Sequence, residues 1–147
     1  MERMSMDFAH ALLESYTEAC KPLCREIQMP QTAFDILMFL ANHPACRSAR
    51  DIVAVRGLKA NLVSVNVDKL VREGLLERRP DQEDRRRTIL VCTESARPVI
   101  ERGRRFQQDF LEKLFRDVPE EDRAVFVRVM KKVRENLARM PKEGMEK

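Results

Sequence analysis

Tryptophan is absent from this chain of 147 residues, aromatic side chains make up only 5% of it, and it has just four glycines. Because glycine serves tight turns, so few of them favour a mainly helical chain. No apolar run approaches the roughly 20 residues that a membrane-spanning helix needs. The N-terminal stretch MERMSMDFAHALLESY also lacks the apolar core of a signal peptide. We therefore expect a cytoplasmic protein without a membrane partner.

The residue types that carry enzyme or metal chemistry are sparse and scattered. The chain has four cysteines, which we expect to be reduced thiols, and only two histidines, His10 and His43. A metal site needs more ligands than these spacings bring together. We find no nucleophile–base pair, no glycine-rich phosphate loop and no paired carboxylates in a pocket pattern. The sequence therefore predicts a protein that is not an enzyme and needs no cofactor or metal.

Charge is abundant but nearly balanced. Charged residues make up 35% of the chain, yet 28 basic and 24 acidic residues leave a net charge of only +4. A polyanionic partner must therefore be argued from local clusters. One cluster stands out in RRPDQEDRRRTILVCT, where Arg85, Arg86 and Arg87 are consecutive. Adjacent like charges repel, so this run favours an anionic partner over a purely structural use.

Apolar spacing organises the chain around this cluster. Steps of three and four predict helices over 4–28 and from Pro30 onwards. A short helix capped by Ser48 and stopped by Gly57 is followed by KANLVSVNVDKLVREG, a helix with one apolar stripe and a polar outer face. The stretches LLERRP and RTILVCT then predict two strands joined at DQEDR. We expect Thr93 to cap a further long helix, with a last helix after it.

This order of elements, and above all the segments KLVREGLLERRPDQEDRRRTILVCTESA and PQTAFDILMFLANHPA, resembles the MarR family of winged helix-turn-helix transcriptional regulators. The resemblance implies a mainly α fold with a small β-wing. It further implies one domain over 1–147, with a winged helix-turn-helix lobe at 30–93 and dimerisation helices at 4–28 and 94–140. Leu62 and Val65 depart from the family, which often has small polar or basic residues at these positions.

The outer face of the second short helix and the wing supply the candidate DNA contacts. Asparagine amides pair well with adenine in the major groove, and lysine near the helix start suits a phosphate. The resemblance implies that Asp84 braces an arginine while Arg86 enters the minor groove. The predicted DNA-binding set is Ser48, Lys59, Asn61, Leu62, Ser64, Val65, Asn66, Lys69, Arg85, Arg86 and Arg87.

By this resemblance, we expect a homodimer that binds a pseudo-palindromic operator on double-stranded DNA as a repressor. A small aromatic or anionic effector would release it, as for many members of the family. Candidate effector contacts are Tyr16, Met38, His43 and Arg97. Ordinary core packing is the competing interpretation of the apolar ones.

Two alternatives stay open at this stage. Cys20 and Cys24 lie four residues apart and could form a thiol-based redox sensor on the same fold, although two small core residues are the simpler interpretation. The chain could instead be a winged-helix module that binds a protein. Salt-sensitive duplex binding would separate a DNA-binding protein from such a module.

Overall fold

The computed structural model describes residues 6–141, and this part of the chain is mainly helical with one two-stranded antiparallel sheet. Its elements are α1 (Met6–Glu26), α2 (Gln31–Asn42), α3 (Ala49–Asp51), a π-helical segment (Ile52–Arg56), α4 (Ala60–Arg72), β1 (Leu76–Pro80), β2 (Thr88–Cys92), a 3-10 turn (Glu94–Ala96), α5 (Arg97–Leu114) and α6 (Glu120–Arg139). The predicted fold class, mainly α with a small β-wing, is confirmed.

The described residues divide into two compact units, one that ends at Phe110 and one that begins at Leu111. The first two positions of the helix predicted over 4–28, Met4 and Ser5, lie outside the described residues. The assignment of the whole chain to one domain remains a prediction.

Helix α2 forms the centre of the first unit. It contacts α1, α4, β2 and the π-helical segment, and its side chains from Ala33 to Leu40 are buried except for the half-buried Asp35. Such burial on all sides explains why its sequence is apolar around most of the helix instead of along one stripe. The helix therefore fixes the positions of the elements that pack around it.

The helix-turn-helix begins and turns as its residues predict. The Ser48 side chain accepts a hydrogen bond from the Asp51 N–H, and the Asp51 carboxylate accepts one from the Ser48 N–H, which together form a capping box. Gly57 has a φ of +75°, in the left-handed region that favours glycine. The turn after it leads directly into α4, as the predicted stop at this glycine requires.

The wing is an antiparallel hairpin whose register runs from Leu76 opposite Cys92 to Pro80 opposite Thr88. Its tip is closed by the Arg87 N–H, which donates to the Asp84 carbonyl at 2.9 Å. Strand β2 is also held from outside the hairpin, since the Leu90 N–H donates to the Arg47 carbonyl at 2.6 Å. The wing is thus hydrogen-bonded to the residue that precedes the Ser48 cap.

The expectation that Thr93 caps the following helix is wrong. Its hydroxyl donates to the Gly74 carbonyl at 2.6 Å and its N–H donates to the Leu75 carbonyl at 3.1 Å, so it joins the two ends of the hairpin. The chain then passes through the 3-10 turn, and Pro98 lies in the first turn of α5, where a missing N–H costs little. A tertiary hydrogen bond replaces the local cap.

Within the first unit, α5 approaches α2 closely at Gly103. A β-carbon added there would lie 2.4 Å from the Met38 sulfur and 3.0 Å from a ring carbon of Phe34. Both neighbours are buried in the core, at 2% and 0% exposure. Glycine at this position therefore lets the two helices pack against each other.

The second unit contains α6 and the turn before it. The Arg123 guanidinium donates to the Phe115 carbonyl at 2.8 Å and lies over the Phe115 ring, while the rings of Phe115 and Phe126 meet edge to face at 5.3 Å. Much of the apolar surface of α6 is exposed, including Val127 at 62% and Leu137 at 58%. This helix has more apolar surface than its own unit covers.

We expect Gly103→Leu to lower the free energy of unfolding by about 1–3 kcal/mol, because the added side chain must displace Met38 and Phe34. Leucine is the better helix former, so a loss would come from packing and not from propensity. Urea denaturation measures it, with the exposed Glu101→Leu on the same helix as control. Equal midpoints for the two variants would contradict the close approach.

Candidate DNA interface

Helix α4 separates its side chains into an inner and an outer face. Val63, Val67 and Leu70 are buried against the rest of the first unit. The outer face carries five exposed residues at its N-terminal end, which are Lys59, Asn61, Leu62, Ser64 and Val65. Such a surface, with one side packed and the other exposed, is what a helix needs to enter the major groove of DNA.

Asn66 does not belong to this outer face, so our expectation that it points outward is wrong. It is 7% exposed, and its amide donates to the Leu62 carbonyl one turn earlier, at 2.9 Å. Its neighbour Val67 is buried on the same side. One N–H group of the amide is used inside the helix, and the buried side chain is not placed to reach a base in this arrangement.

The remaining polar residues of α4 differ in how free their side chains are. The Asn61 side-chain oxygen accepts the Leu62 N–H at 2.9 Å, which helps to cap the helix and leaves the amide nitrogen available. Lys59 is the N-cap residue and is exposed. Lys69 lies 3.1 Å from the Glu73 carboxylate, so its charge is already paired. Of the two lysines, Lys59 is therefore better suited to a phosphate.

At the wing tip, Asp84 contacts Arg86, whereas the resemblance implied that Asp84 braces an arginine without specifying which one. The Asp84 carboxylate accepts from the Arg86 N–H at 3.1 Å and from its side-chain Nε at 3.5 Å. The Arg86 side chain is nevertheless 93% exposed. Arg85 is exposed as well and makes no ion pair with the described residues. Asp84 thus orients an arginine that extends away from the protein.

Arg87 lies on the opposite side of the hairpin tip and binds the helix-turn-helix. Its guanidinium is 2.8 Å from the Asp51 carboxylate and 3.3 Å from the Ser48 hydroxyl, and it lies 4.0 Å from the Asp81 carboxylate. We expected this arginine to contact phosphate or to point outward. It is paired within the protein instead, because two carboxylates and a hydroxyl face it.

Ser48 was also predicted to bind DNA, and the structure places it elsewhere. It is 6% exposed and acts as the N-cap of α3 while accepting a hydrogen bond from Arg87. Its partner Asp51 was missed by the sequence analysis. The spacing Ser48-x-x-Asp51, an acidic residue three positions after a serine cap, could have indicated this role.

Hydrogen bonds set the ionisation of Asp51. Partial burial works to raise its pKa, but hydrogen bonds from the N–H and hydroxyl groups of Ser48 and from the Arg47 N–H, together with the positive charge of Arg87, bring the pKa below its ordinary value. Asp51 is therefore a carboxylate at neutral pH, and its ion pair with Arg87 is formed under those conditions.

A cleft of about 480 Å³ lies between the helix-turn-helix and the wing. Its floor is apolar, and its polar lining residues come from three elements, with Arg50 on α3, Ser64 on α4, and Arg78 and Thr88 on the wing. Arg78 also pairs with Asp68 of α4. The cleft thus brings cations of the helix-turn-helix and of the wing to the same surface.

The four candidate effector contacts differ in what surrounds their side chains. Met38 is buried beneath α5 at Gly103, and Tyr16 packs on Phe106 and Phe110 while its hydroxyl accepts a hydrogen bond from Gln107 at 3.0 Å. Both belong to the packed interior of the first unit.

His43 and Arg97 make local contacts only. The His43 ring stacks on Phe39 at the end of α2, and Arg97 pairs with Glu94 one turn away. Neither contact brings the two residues to Tyr16 or Met38.

The cysteines are free thiols in this structure. Burial raises the pKa of Cys20 to about 11, and burial together with the negative charge of Asp35 raises the pKa of Cys24. Thiolates react with oxidants far faster than thiols do. These surroundings therefore disfavour the reactive form of both candidate redox residues.

Residues 6–141 lack two features, a cluster of metal ligands and a helix suited to span a membrane. No group of three or more potential metal ligands is found in this part of the chain. None of its helices combines the length and the apolar character that crossing a membrane requires.

The fold and the site together define a winged helix-turn-helix protein. A model of the MarR family matches residues 27–87, which contain the helix-turn-helix and the wing as far as Arg87. This match covers the winged helix-turn-helix lobe and agrees with the resemblance to the MarR family seen in the sequence.

The chain is also similar to individual proteins and solved structures. The chain is 24% identical over 136 residues to the HTH-type transcriptional regulator BilQ of Clostridium symbiosum (strain WAL-14163), covering 90% of this chain and 92% of the relative. A MarR family structure from Listeria monocytogenes, solved with a 26mer DNA, matches with a TM-score of 0.79 and 16% identity over 94% of this chain and 91% of that one. The S. aureus MepR–DNA complex matches with a TM-score of 0.72 and 19% identity, over 92% and 96%.

We expect Arg87→Ala to lower the free energy of unfolding by about 1 kcal/mol, because it removes the partner of Asp51 from a half-exposed ion pair. Arg85→Ala removes the same charge from a neighbouring position that makes no ion pair with the described residues, and it serves as the control. Thermal unfolding at neutral pH compares the two. Equal losses in the two variants would show that Arg87 does not hold the wing.

Proposed function

We propose that the chain is a sequence-specific transcriptional regulator that binds double-stranded DNA through α4 and the wing. One observation carries the proposal. The wing is tied to the helix-turn-helix by Arg87 and Asp51, while Arg86, oriented by Asp84, remains 93% exposed beside it. Apart from Nε, which lies 3.5 Å from the Asp84 carboxylate, the Arg86 guanidinium makes no hydrogen bond with the described residues and is open to water or an external anion.

In the proposed complex, α4 enters the major groove and the wing follows the adjacent minor groove. Asn61 and Ser64 contact base edges or phosphates, and Lys59 contacts a phosphate at the start of the helix. Arg86 enters the minor groove, where narrow A-tracts concentrate negative potential, and Arg85 contacts the backbone. The DNA complexes of two similar structures support this arrangement without fixing its contacts.

We further propose that the chain acts as a homodimer on a pseudo-palindromic operator. Exposed apolar side chains in each unit support this, including Phe8 and Leu13 of α1 at 55% and 57%, and Val129 and Val133 of α6 at 50% and 39%. A two-fold dimer buries the same surface of both subunits. It would place two recognition helices about one duplex turn, roughly 34–36 Å, apart.

The proposal includes repression with release by a small aromatic or anionic effector, because a dimer bound across an operator excludes other proteins from it. Regulation by thiol oxidation is less well supported, since burial holds Cys20 and Cys24 in the thiol form. A protein-binding module is also less well supported, because Arg85 at the wing tip makes no ion pair with the described residues and Arg86 remains 93% exposed. The proposal places this regulator in the cytoplasm, together with its DNA.

Selection of duplexes from a random library, at several salt concentrations, tests the DNA-binding proposal. We expect a pseudo-palindromic sequence to be enriched, and its affinity to fall as salt rises, because phosphate contacts release counterions. Weak DNA binding without sequence preference would contradict the proposed regulator and favour the protein-binding module.

On the enriched duplex, we expect Arg86→Ala to weaken binding by about 1–3 kcal/mol per subunit and to give a shallower salt dependence. Arg25→Ala, an exposed arginine on α1, is the matched control for the loss of one positive charge. Fluorescence anisotropy titrations measure both variants. If the two variants lose the same affinity, Arg86 acts only through net charge and does not enter the groove.

We expect Val133→Glu to dissociate the dimer and thereby weaken operator binding, because it places a charge within the apolar stripe of α6. Lys131→Gln changes the net charge by the same amount on the opposite side of this helix and should leave the dimer intact. Sedimentation velocity gives the oligomeric state. A monomeric wild type, or a dimeric Val133→Glu variant, would contradict the proposed interface.

A further inference from the structure

Two large apolar side chains lie on the outer face of α4, a solvent-exposed position that usually carries polar residues. Leu62 is 41% exposed and Val65 is 65% exposed. They are three residues apart on a helix and are therefore neighbours on its surface. The protein's described residues leave both uncovered, although the same helix buries Val63 and Val67 on its inner face.

The surroundings of this pair are polar and cationic. The segment 59–67 contains no acidic residue, and Lys59, Asn61 and Ser64 lie exposed beside the two side chains. The first acidic residue along the helix, Asp68, is paired with Arg78 of the wing. An anionic partner suits the charge of this surface. Such a partner would also have to offer small apolar groups to Leu62 and Val65.

A protein partner fits these observations less well. Stable protein interfaces bury roughly 1,000 Å² or more around an apolar centre, and two adjacent side chains do not provide such a centre. Duplex DNA meets both requirements. Its backbone is anionic, and in the major groove each thymine presents an apolar C5-methyl group.

Some polar groups of α4 are already hydrogen-bonded within the helix, which favours recognition of bases through its apolar side chains. The Asn66 amide is buried and bonded to the Leu62 carbonyl, and the Asn61 oxygen accepts the Leu62 N–H. Two of the hydrogen-bonding groups that could recognise adenine are thus already occupied. Beside Ser64 and the free amide nitrogen of Asn61, base discrimination by this helix can then draw on its apolar side chains.

We propose that Leu62 and Val65 determine sequence specificity by contacting thymine methyl groups in the major groove. This inference rests on the proposed DNA-binding function and extends it to the chemistry of the half-site. Three residues of helix rise about 4.5 Å, and stacked base pairs are about 3.4 Å apart. The two side chains should therefore read thymines on the same or neighbouring base pairs.

The test replaces each thymine of the enriched duplex by deoxyuridine, which removes only the methyl group. For the wild type we expect about fourfold weaker binding per contacted methyl, the ratio that corresponds to about 0.8 kcal/mol for one buried methyl-sized group. Replacing a thymine that contacts neither side chain should have no effect, so the sensitive positions should form one cluster per half-site.

Variants then assign the effect to side chains. In Leu62→Ala or Val65→Ala, the deoxyuridine penalty at the matching position should disappear, whereas Ser64→Ala on the same face should retain it. Both substitutions are at exposed sites, so circular dichroism should show a folded protein. Loss of the penalty in one variant at one position would identify which methyl each side chain contacts.

The outcomes separate this inference from the function on which it rests. If the wild type selects a palindromic operator but is indifferent to deoxyuridine at every position, the regulator stands and methyl recognition is wrong. If the penalty persists in both apolar variants, thymine acts through the shape of the DNA, and the inference is again wrong. If no sequence is selected at all, the proposed function itself has failed.

Discussion

The ion pair between Arg87 and Asp51 is the contact that the geometry of the candidate DNA interface depends on. Each partner makes a second contact of structural importance. The Asp51 carboxylate completes the capping box of α3 with Ser48, and the backbone of Arg87 closes the wing tip with Asp84. The same residues therefore hold the start of the helix-turn-helix and the end of the hairpin, and neither can move without disturbing the other.

This arrangement also explains how a chain with a net charge of only +4 can present a cationic surface. Two acidic residues near the interface are matched by basic ones within the protein, since Asp51 is paired to Arg87 and Asp68 is paired to Arg78. Such pairs cancel locally and leave the remaining cations to set the field. Lys59 and Arg85 are exposed and make no ion pair with the described residues, so their charge faces outward.

Local patterns in the sequence were enough to predict the elements of the fold. Apolar spacing, the Ser48 cap, the glycine stops and the β-branched run of β2 each depend on near neighbours, and the structure confirms the helix-turn-helix followed by a wing. The failures concern contacts between residues distant in sequence. Thr93 bonds to the Gly74 carbonyl instead of capping a helix, and Arg87 bonds to Asp51 instead of facing outward.

The prediction that Asn66 lies on the outer face of α4 was wrong for a different reason, which is the rotation of the helix about its axis. Asn66 follows Val65 directly, and a rotation of about 100° per residue decides which of the two is exposed. Polarity alone placed the amide outside and left the valine unexplained. Packing against α2 places Asn66 inward, where its amide bonds to the Leu62 carbonyl, and leaves Val65 on the surface.

The measurement that tests the central claim most directly is hydroxyl-radical footprinting of the wild type on an operator duplex, combined with methylation protection of guanine N7. If the helix-turn-helix and the wing act in one fixed frame, α4 protects major-groove positions in each half-site, and the wing protects the minor groove immediately beside them. Minor-groove cleavage that is unchanged by the protein would show that the wing does not bind DNA and would contradict the account.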